Sequence, residues 1–470
     1  MERRPPEGDE DFEWTDSPAR PPRPRREPST GETEAPDTAE RERPGTGERD
    51  RPGTAERRAL RRDTGSFEAI REGIAERRRE REETGEFERS GRRPPPGRRA
   101  RRRDLPARVR RRQDLMVGGA AAAVIVLLIV AISSGGGGDD EEPAVGLKRL
   151  VGQSIVARLG GKGADQALTR RVRQGRVGGV IVFGEDAAQL RADIATLQQA
   201  ASAGDNPPLL VMIDQEGGDV KRLPQGPPNA SPAQLGESDD EDESRAQGEA
   251  TGSYLRGLGI NVDLAPVLDV AHQNTASTIR SRTFGSDPAV VTRIGVAFAQ
   301  GLQDGGVVAT AKHFPGLGFA TVNTDDRPTD IAATSDQLRT DLEPFRGAVE
   351  AGVKMVMVST AGYPTLGSRK QAAFSPAIVG GLLRDQLGFD GVVITDDLEG
   401  AAVTDTTSPV VAATSAIQAG DDMLLYGRSA EASDRAFSSL VSEVKSGDLD
   451  RSQFQRSYDR ITSLKASPTG

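Results

Sequence analysis

The sequence predicts an α/β chain: a (β/α)8, TIM-type barrel preceded by a disordered N-terminal tail and one transmembrane helix. Three observations carry this. Eight short Val- and Ile-rich runs alternate with helix-like stretches from about residue 146 onward. The run "LMVGGAAAAVIVLLIVAI" at 115–132 carries no charge and no Pro. The residues before it contain no Lys and few aliphatics, but many Arg, Glu, Pro, Gly and Thr.

The tail, residues 1–114, holds about half of the 62 basic residues. It has too little apolar surface to offset the entropy of ordering it, so it is expected to be disordered. It contains near-repeats: "RPGTGERD" is followed by "RPGTAERR", and "DTGSFE" recurs as "ETGEFE". A solvated low-complexity segment accounts for these. A sharper reading makes Thr64 and Thr84 phosphorylation or docking sites, where added charge changes tail contacts.

At about 1.5 Å per residue, a helix over 115–132 reaches roughly 27 Å, close to a hydrocarbon core. Eleven Arg precede it, and "SSGGGGDDEEP" follows with acids and no bases. The positive-inside rule then places the N-terminus in the cytoplasm and the barrel outside the cell membrane, as a single-pass protein. A cleaved signal peptide is the rival, and "AISSGG" keeps it open. The Arg cluster would also attract anionic lipid headgroups. The expected organisation is a tail at 1–114, a span at 115–133, a Gly/acidic linker at 134–145 and a barrel at 146–470.

The eight runs are "SIVARL", "GGVIVFG", "PLLVMID", "INVDLAP", "VVATAKH", "VKMVMVS", "GVVITD" and "DDMLLYG". They lack strict alternation, as parallel strands covered by helices do. Amphipathic stretches such as "AAQLRADIATLQQAA" lie between most of them. An open doubly wound sheet is the alternative, weakened because no Gly-x-Gly-x-x-Gly opens the first unit. Barrel chemistry sits where strands end. Here the third strand ends in Asp214, Gln215, Glu216 and two glycines, and the fourth carries Asp263 and leads to Asp269. The fifth ends in Lys312 and His313, and the seventh in Asp396 and Asp397.

The chain has no Cys and only two His, His272 and His313, which excludes disulfides and Cys nucleophiles and leaves little for a zinc site. No cofactor, no metal and no nucleic-acid partner are expected. Paired carboxylates facing a sugar are the minimal kit for glycoside hydrolysis. Other roles stay open on spacing alone. Asp396 and Asp214 could cap helices, and Lys312 could form a Schiff base with a carbonyl substrate.

"VMIDQEGGDVKRL", "NVDLAPVLDV", "TIRSRTFGSDP", "AKHFPGLG" and "GVVITDDLEG" occur in this order. Together they resemble the N-terminal barrel of glycoside hydrolase family 3, in its single-domain branch of bacterial β-N-acetylhexosaminidases. The resemblance implies that Asp396 is the nucleophile of a retaining exo-glycosidase, forming a covalent glycosyl-enzyme. It implies that Asp214, Arg222, Arg282, Lys312 and His313 grip a carbohydrate substrate, a terminal β-N-acetylglucosamine-like residue of cell-wall glycan.

Three of the motifs depart from the family pattern. Asp219 stands where the family has Arg after "DQEGG". Leu317 replaces a second His in "KHFPGHG". The Asp-Ser-His triplet, whose His is the acid/base, is here Asn323, Thr324 and Asp325. Asp325, or less favourably Asp326, is expected to take that role, its pKa raised by burial or by the neighbouring acid. His272 is expected to be an incidental loop residue. The alternative is a membrane-tethered sugar-binding or scaffold protein with little turnover.

Overall fold

The computed structural model describes residues 145–467, apart from Lys162, Glu185 and Arg369. Residues 1–144, with the expected tail, span and most of the linker, lie outside the described residues. Among those described, no helix is long and apolar enough to cross a membrane.

All eight expected strands form. They are β1 (Ile155–Arg158), β2 (Gly179–Val182), β3 (Leu210–Ile213), β6 (Val262–Asp263), β7 (Val308–Phe314), β8 (Met355–Val358), β9 (Val392–Thr395) and β10 (Leu424–Leu425). Between β3 and β6 lies an unexpected two-stranded hairpin, β4 (Gln215–Gly217) and β5 (Val220–Lys221). The eight strands are parallel, and each pairs with its neighbour in sequence. The sheet curls until β1 meets β10, with Ile155 opposite Leu424 and Val156 opposite Leu425. An isolated bridge between Ile394 and Met423 joins β9 to the start of β10 and completes the ring. A Lys312–His313 cis peptide lies near the end of β7.

The missing alternation in the sequence has a direct cause. Side chains on a strand alternate sides, and here both sides are apolar. Val156, Ile181, Met212, Met355, Met357 and Ile394 fill the barrel interior. Their neighbours Ala157, Val180, Val182, Val211 and Ile213 pack outward among helices. Those helices include α1 (Leu147–Gln153), α2 (Ala187–Ala203), α3 (Glu241–Gly257) and α4 (Pro288–Asp304). α3 and α4 approach closely because glycines face backbone: a Cβ on Gly248 would lie 2.3 Å from the Phe298 carbonyl oxygen. Farther along come α5 (Ser335–Asp341), α6 (Ala401–Thr404), α7 (Ala430–Ser446) and α8 (Arg451–Ala466). Ile461 and Leu464 of α8 join the interior cluster and plug the barrel at the end where the strands start. The opposite end, where the strands stop, is left to polar side chains.

Candidate active site

The first wall of the site comes from the segment after β3. Gly217 (φ 95°) and Gly218 (φ 60°) take the left-handed backbone that turns β4 into β5. The buried Gln215 side chain locks that hairpin. Its amide donates to the carbonyls of Leu223 (3.0 Å) and Pro227 (2.8 Å), and its oxygen accepts from Leu223 N–H (2.9 Å). Asp214, Glu216 and Arg222 are held at the rim as a result.

Two buried cations meet these acids. Lys312 Nζ lies 2.7 Å from Asp214 Oδ1 and 2.7 Å from Glu216 Oε1. Arg282, from the loop after β6, grips Glu216 through two bonds of 2.8 and 2.6 Å. Arg222 approaches Asp214 at 3.7 Å. Burial works to raise the Glu216 pKa, but Arg282 and Lys312 outweigh it and hold it at about 2. Burial likewise disfavours the Lys312 ammonium, but Asp214 and Glu216 reverse this and raise its pKa. A lysine held as a cation between two carboxylates is a poor Schiff-base amine, which counts against the carbonyl-substrate alternative.

His313 packs beside this cluster. Its Nδ1 lies 2.8 Å from Asp269 Oδ2, and Asp269 Oδ1 also accepts the N–H of Leu317 at 2.7 Å. Arg282 Nη2 stands 3.4 Å from the other ring nitrogen, Nε2. An N–H at Nδ1 facing Asp269 fits the shorter of these contacts.

Asp396 follows β9 on the facing wall. It caps no helix, since the next helix, α6, starts at Ala401 with Gly400 before it. Asp396 Oδ1 accepts the N–H of Asp397 at 2.8 Å. Burial raises the Asp396 pKa; His313 pulls it down and Asp325 pushes it up. The loop carrying Asp325 is docked on the loop that follows Asp396. Ala401 N–H donates to the Asp325 carbonyl (3.2 Å) and Ala402 N–H to that of Thr324 (2.9 Å).

Arg428, just beyond β10, joins these loops. Its Nε lies 3.2 Å from Asp397 Oδ2 and its Nη2 3.4 Å from Asp325 Oδ1. Its backbone is itself pinned, because Glu399 Oε2 accepts the N–H groups of Arg428 and Ser429, each at 2.9 Å. Asp397 Oδ1 takes the N–H of Gly427 at 3.1 Å.

A cavity of about 290 Å³ opens between the walls. Asp214, Arg222, Arg282, Lys312 and His313 line it, and so do Asp325 and Asp396. The seven residues to which the resemblance and the motif count gave site roles thus meet in one place, whereas Asp326, the less favoured acid/base, does not line the cavity. The surroundings of Asp325 differ from expectation. It is exposed, and its side-chain neighbours are Arg428 and Asn323 rather than Asp326. His272 is not incidental: its Nε2 lies 2.9 Å from Asp341 of α5, and its ring stacks on Phe319 at 3.7 Å. This fastens the loop after β6 to α5, away from the cavity lining.

Glu216, Asp269 and Arg428 were given no role from sequence. The strand-end rule already pointed at the first two, and applied to the eighth strand it reaches "LLYGR". Among the described residues, no group of three or more His, Asp or Glu is arranged to hold a metal ion.

Comparison with known proteins agrees with this geometry. The glycosyl hydrolase family 3 N-terminal domain matches residues 150–464. An uncharacterized secreted glycosyl hydrolase of Arthroderma benhamiae is 34% identical over 334 residues, covering 69% of this chain and 94% of that protein. A beta-hexosaminidase of Thiobacillus denitrificans is 37% identical over 285 residues, covering 58% of this chain and 77% of that one. A solved family 3 beta-N-acetylglucosaminidase from a Paenibacillus species superposes with a TM-score of 0.66 at 35% identity. That match covers 68% of this chain and 62% of the Paenibacillus chain.

Proposed function

The chain belongs to glycosyl hydrolase family 3, and we propose that its barrel is a retaining exo-glycosidase releasing terminal β-N-acetylglucosamine-like residues. It is a glycoside hydrolase. One observation carries the finer reading: two carboxylates, Asp396 and Asp325, line one cavity in different surroundings. Asp396 is partly buried at a strand end, and Asp325 is exposed at the mouth. Two carboxylates lining one sugar-sized cavity supply the pair that nucleophile and proton carrier require, and the family resemblance, not their burial, assigns the nucleophile to Asp396.

In the first step an Asp396 oxygen attacks the anomeric carbon, and the bond to the leaving oxygen breaks. Oδ1 is engaged by the Asp397 N–H, so Oδ2 is the attacking atom. Asp325, in its acid form, gives its proton to the departing oxygen. In the second step Asp325, now a carboxylate, takes a proton from water as that water attacks the glycosyl-Asp396 ester. The sugar leaves with its β configuration kept, and both carboxyl groups return to their starting forms. Asp214, held by Lys312 and Arg222, offers acceptors to sugar hydroxyls; Arg282, Lys312 and His313 complete the grip.

The proposed setting is a barrel tethered by residues 134–145 to a span at 115–133, with cell-wall glycan as substrate and residues 1–114 in the cytoplasm. A second reading, a tethered sugar-binding protein with little turnover, draws on one observation. The family's acid/base imidazole is replaced by an exposed side chain whose charged contact is Arg428.

The test is hydrolysis of an aryl β-N-acetylglucosaminide by the purified full chain. Asp396→Asn should lower turnover by at least about 10³-fold, and the first product formed should be the β anomer. Asp325→Ala should lose about 10²–10⁴-fold on a poor leaving group, and azide should restore turnover on an activated one. Turnover no higher than that of Asp396→Asn would end the enzyme reading for this sugar. An Asp325→Ala protein that behaves like the parent would end the acid/base assignment.

A further inference from the structure

Asp263 is a rim carboxylate to which the reaction above gives no part. It is the last residue of β6, and its side chain is wholly buried. Oδ1 accepts the N–H of Gln215 at 2.9 Å. Oδ2 is buried with no hydrogen-bond partner in the protein.

The charged groups facing it come from three elements: Lys312 on β7, Asp214 at the end of β3, and Glu216 on β4. Each nearby cation is already engaged by these two acids. Lys312 serves Asp214 and Glu216, Arg282 serves Glu216 through two further bonds, and the partly exposed Arg222 stands 3.7 Å from Asp214. Two carboxylates thus share two buried cations. A third carboxylate ionised here would have no cation of its own, and an unpaired buried charge is disfavoured far more than a buried carboxylic acid.

We propose that Asp263 is a positioning residue for the substrate-gripping cluster and that it works in its neutral, proton-carrying form. As an acid it accepts the Gln215 N–H, and so fixes the chain between Asp214 and Glu216, without adding a negative charge beside Lys312. The direction of its titration agrees. Burial pushes the Asp263 carboxyl up to about 8, although the Gln215 N–H and Lys312 both pull it down. Asp214 and Glu216 add to the rise. Above that pH an ionised Asp263 competes with Asp214 and Glu216 for the Lys312 ammonium. The grip on the sugar loosens, while the reacting pair Asp396 and Asp325 is untouched. The penalty therefore falls on KM rather than kcat.

The sign for stability follows from proton counts. The folded chain keeps this proton to about pH 8, whereas an ordinary aspartate loses it near 3.8. Across that window the folded state binds one proton more than the unfolded state, so this residue's contribution to stability falls as pH rises.

The experiment compares the full chain with Asp263→Ala and Asp263→Asn from pH 5 to 10. Asp263→Ala should raise KM several-fold at every pH, because the Gln215 N–H loses its acceptor. Asp263→Asn restores a neutral acceptor and should rescue KM at pH 6–7. It should also hold KM level past pH 9, where the parent's KM climbs several-fold as Asp263 ionises. Melting temperatures give a second readout that needs no turnover. The advantage of Asp263→Asn over the parent should widen from pH 5 to 8 and then level off.

If the barrel does not hydrolyse the aryl glycoside, the melting series still decides the matter, so the two readings fail separately. A melting advantage independent of pH would overturn the neutral form. So would an Asp263→Asn protein that is folded but as impaired as Asp263→Ala at pH 6–7. If Asp263→Asn does not fold, Asp263→Ser, also a neutral acceptor, takes its place under the same outcomes.

Discussion

Lys312 at the rim and Lys465 at the opposite end of the barrel sit among buried groups, yet their surroundings push them in opposite directions. Lys312 lies against Asp214 and Glu216, and its ammonium is held as a cation. Lys465, on α8, donates to Gln153 Oε1 and to the Gly178 carbonyl, with no carboxylate among these partners. Burial alone acts on it and lowers its pKa to about 7.

The acids show the same division. At the rim Asp214, Asp325 and Asp396 face a cavity. At the base Asp422 is used up inside the fold, taking Arg384, Arg460, Ser457 and the Val393 N–H. Charge at the rim is dense but directed at space a ligand can enter, whereas charge at the base is turned inward. Residue type alone does not mark a site; what matters is whether the partners leave a face free.

The rim is most vulnerable at Glu216, the acid that Lys312 and Arg282 share. Glu216→Gln leaves Arg282 and Lys312 buried with one acid fewer. Its expected cost is about 3–5 kcal/mol by denaturant unfolding, together with the larger part of activity. The deficit depends on pH. The Glu216 carboxyl titrates at about 2 in place of 4.5, so its stabilisation is in full force above pH 4.5 and is lost as pH falls through 2. A deficit that persists unchanged at pH 2 would show that shape, not charge, was lost.

The two lysines sharpen the contrast directly. Lys312→Met should lower kcat/KM by about 10–100-fold, the value of a hydrogen bond to a charged group. Lys465→Met should leave kinetics within about twofold. Its mark is on stability. The folded chain releases the Lys465 proton near pH 7, whereas an ordinary lysine keeps it to 10.5. The parent should therefore gain stability relative to Lys465→Met as pH rises from 7 to 10. Melting curves at a series of pH values, run beside the kinetics, check both halves.

The smallest effect is expected at Arg428, whose contact with Asp325 is solvent-exposed at 51% and 56%. Exposed pairs are worth about 1 kcal/mol or less, so Arg428→Ala should cost no more than about fivefold in kcat. The loss should appear on poor leaving groups and vanish in an Asp325→Ala background. A full additional loss in that background would detach Arg428 from Asp325.

The fold was legible because its signal is local. Eight Val- and Ile-rich runs, buried on both faces, stand out whatever they pair with. The candidate site was legible where a polar residue ends such a run, as Asp214, Lys312 and Asp396 do. What escaped was pairing across the chain. Arg282 meets Glu216 from 66 residues away, and His272 meets Asp341 from 69. No period in the sequence records such distances. The β4–β5 hairpin escaped for a different reason: its strands are too short to show alternation, and only Gly217 and Gly218 announce a turn. Asp325 was found by counting along a motif. Counting gave its place but not its exposure, which depends on where Arg428 and α6 lie.

The ring closes where β1 meets β10, and that seam has a consequence for how the molecule is made. Seven of the eight strand pairings join segments adjacent in the sequence and can form as the chain emerges. The eighth, Ile155 to Leu424, spans most of the barrel's length, so its closure carries the largest loop entropy of the eight. Arg158 bonds the Gly427 carbonyl across this seam at 2.8 Å, and Arg428 is the next residue. An unclosed barrel would therefore carry Asp396 but not Arg428, the side chain 3.4 Å from Asp325. On the proposed roles, turnover regained during refolding should rise by no more than about fivefold as the seam closes, the share that Arg428 contributes.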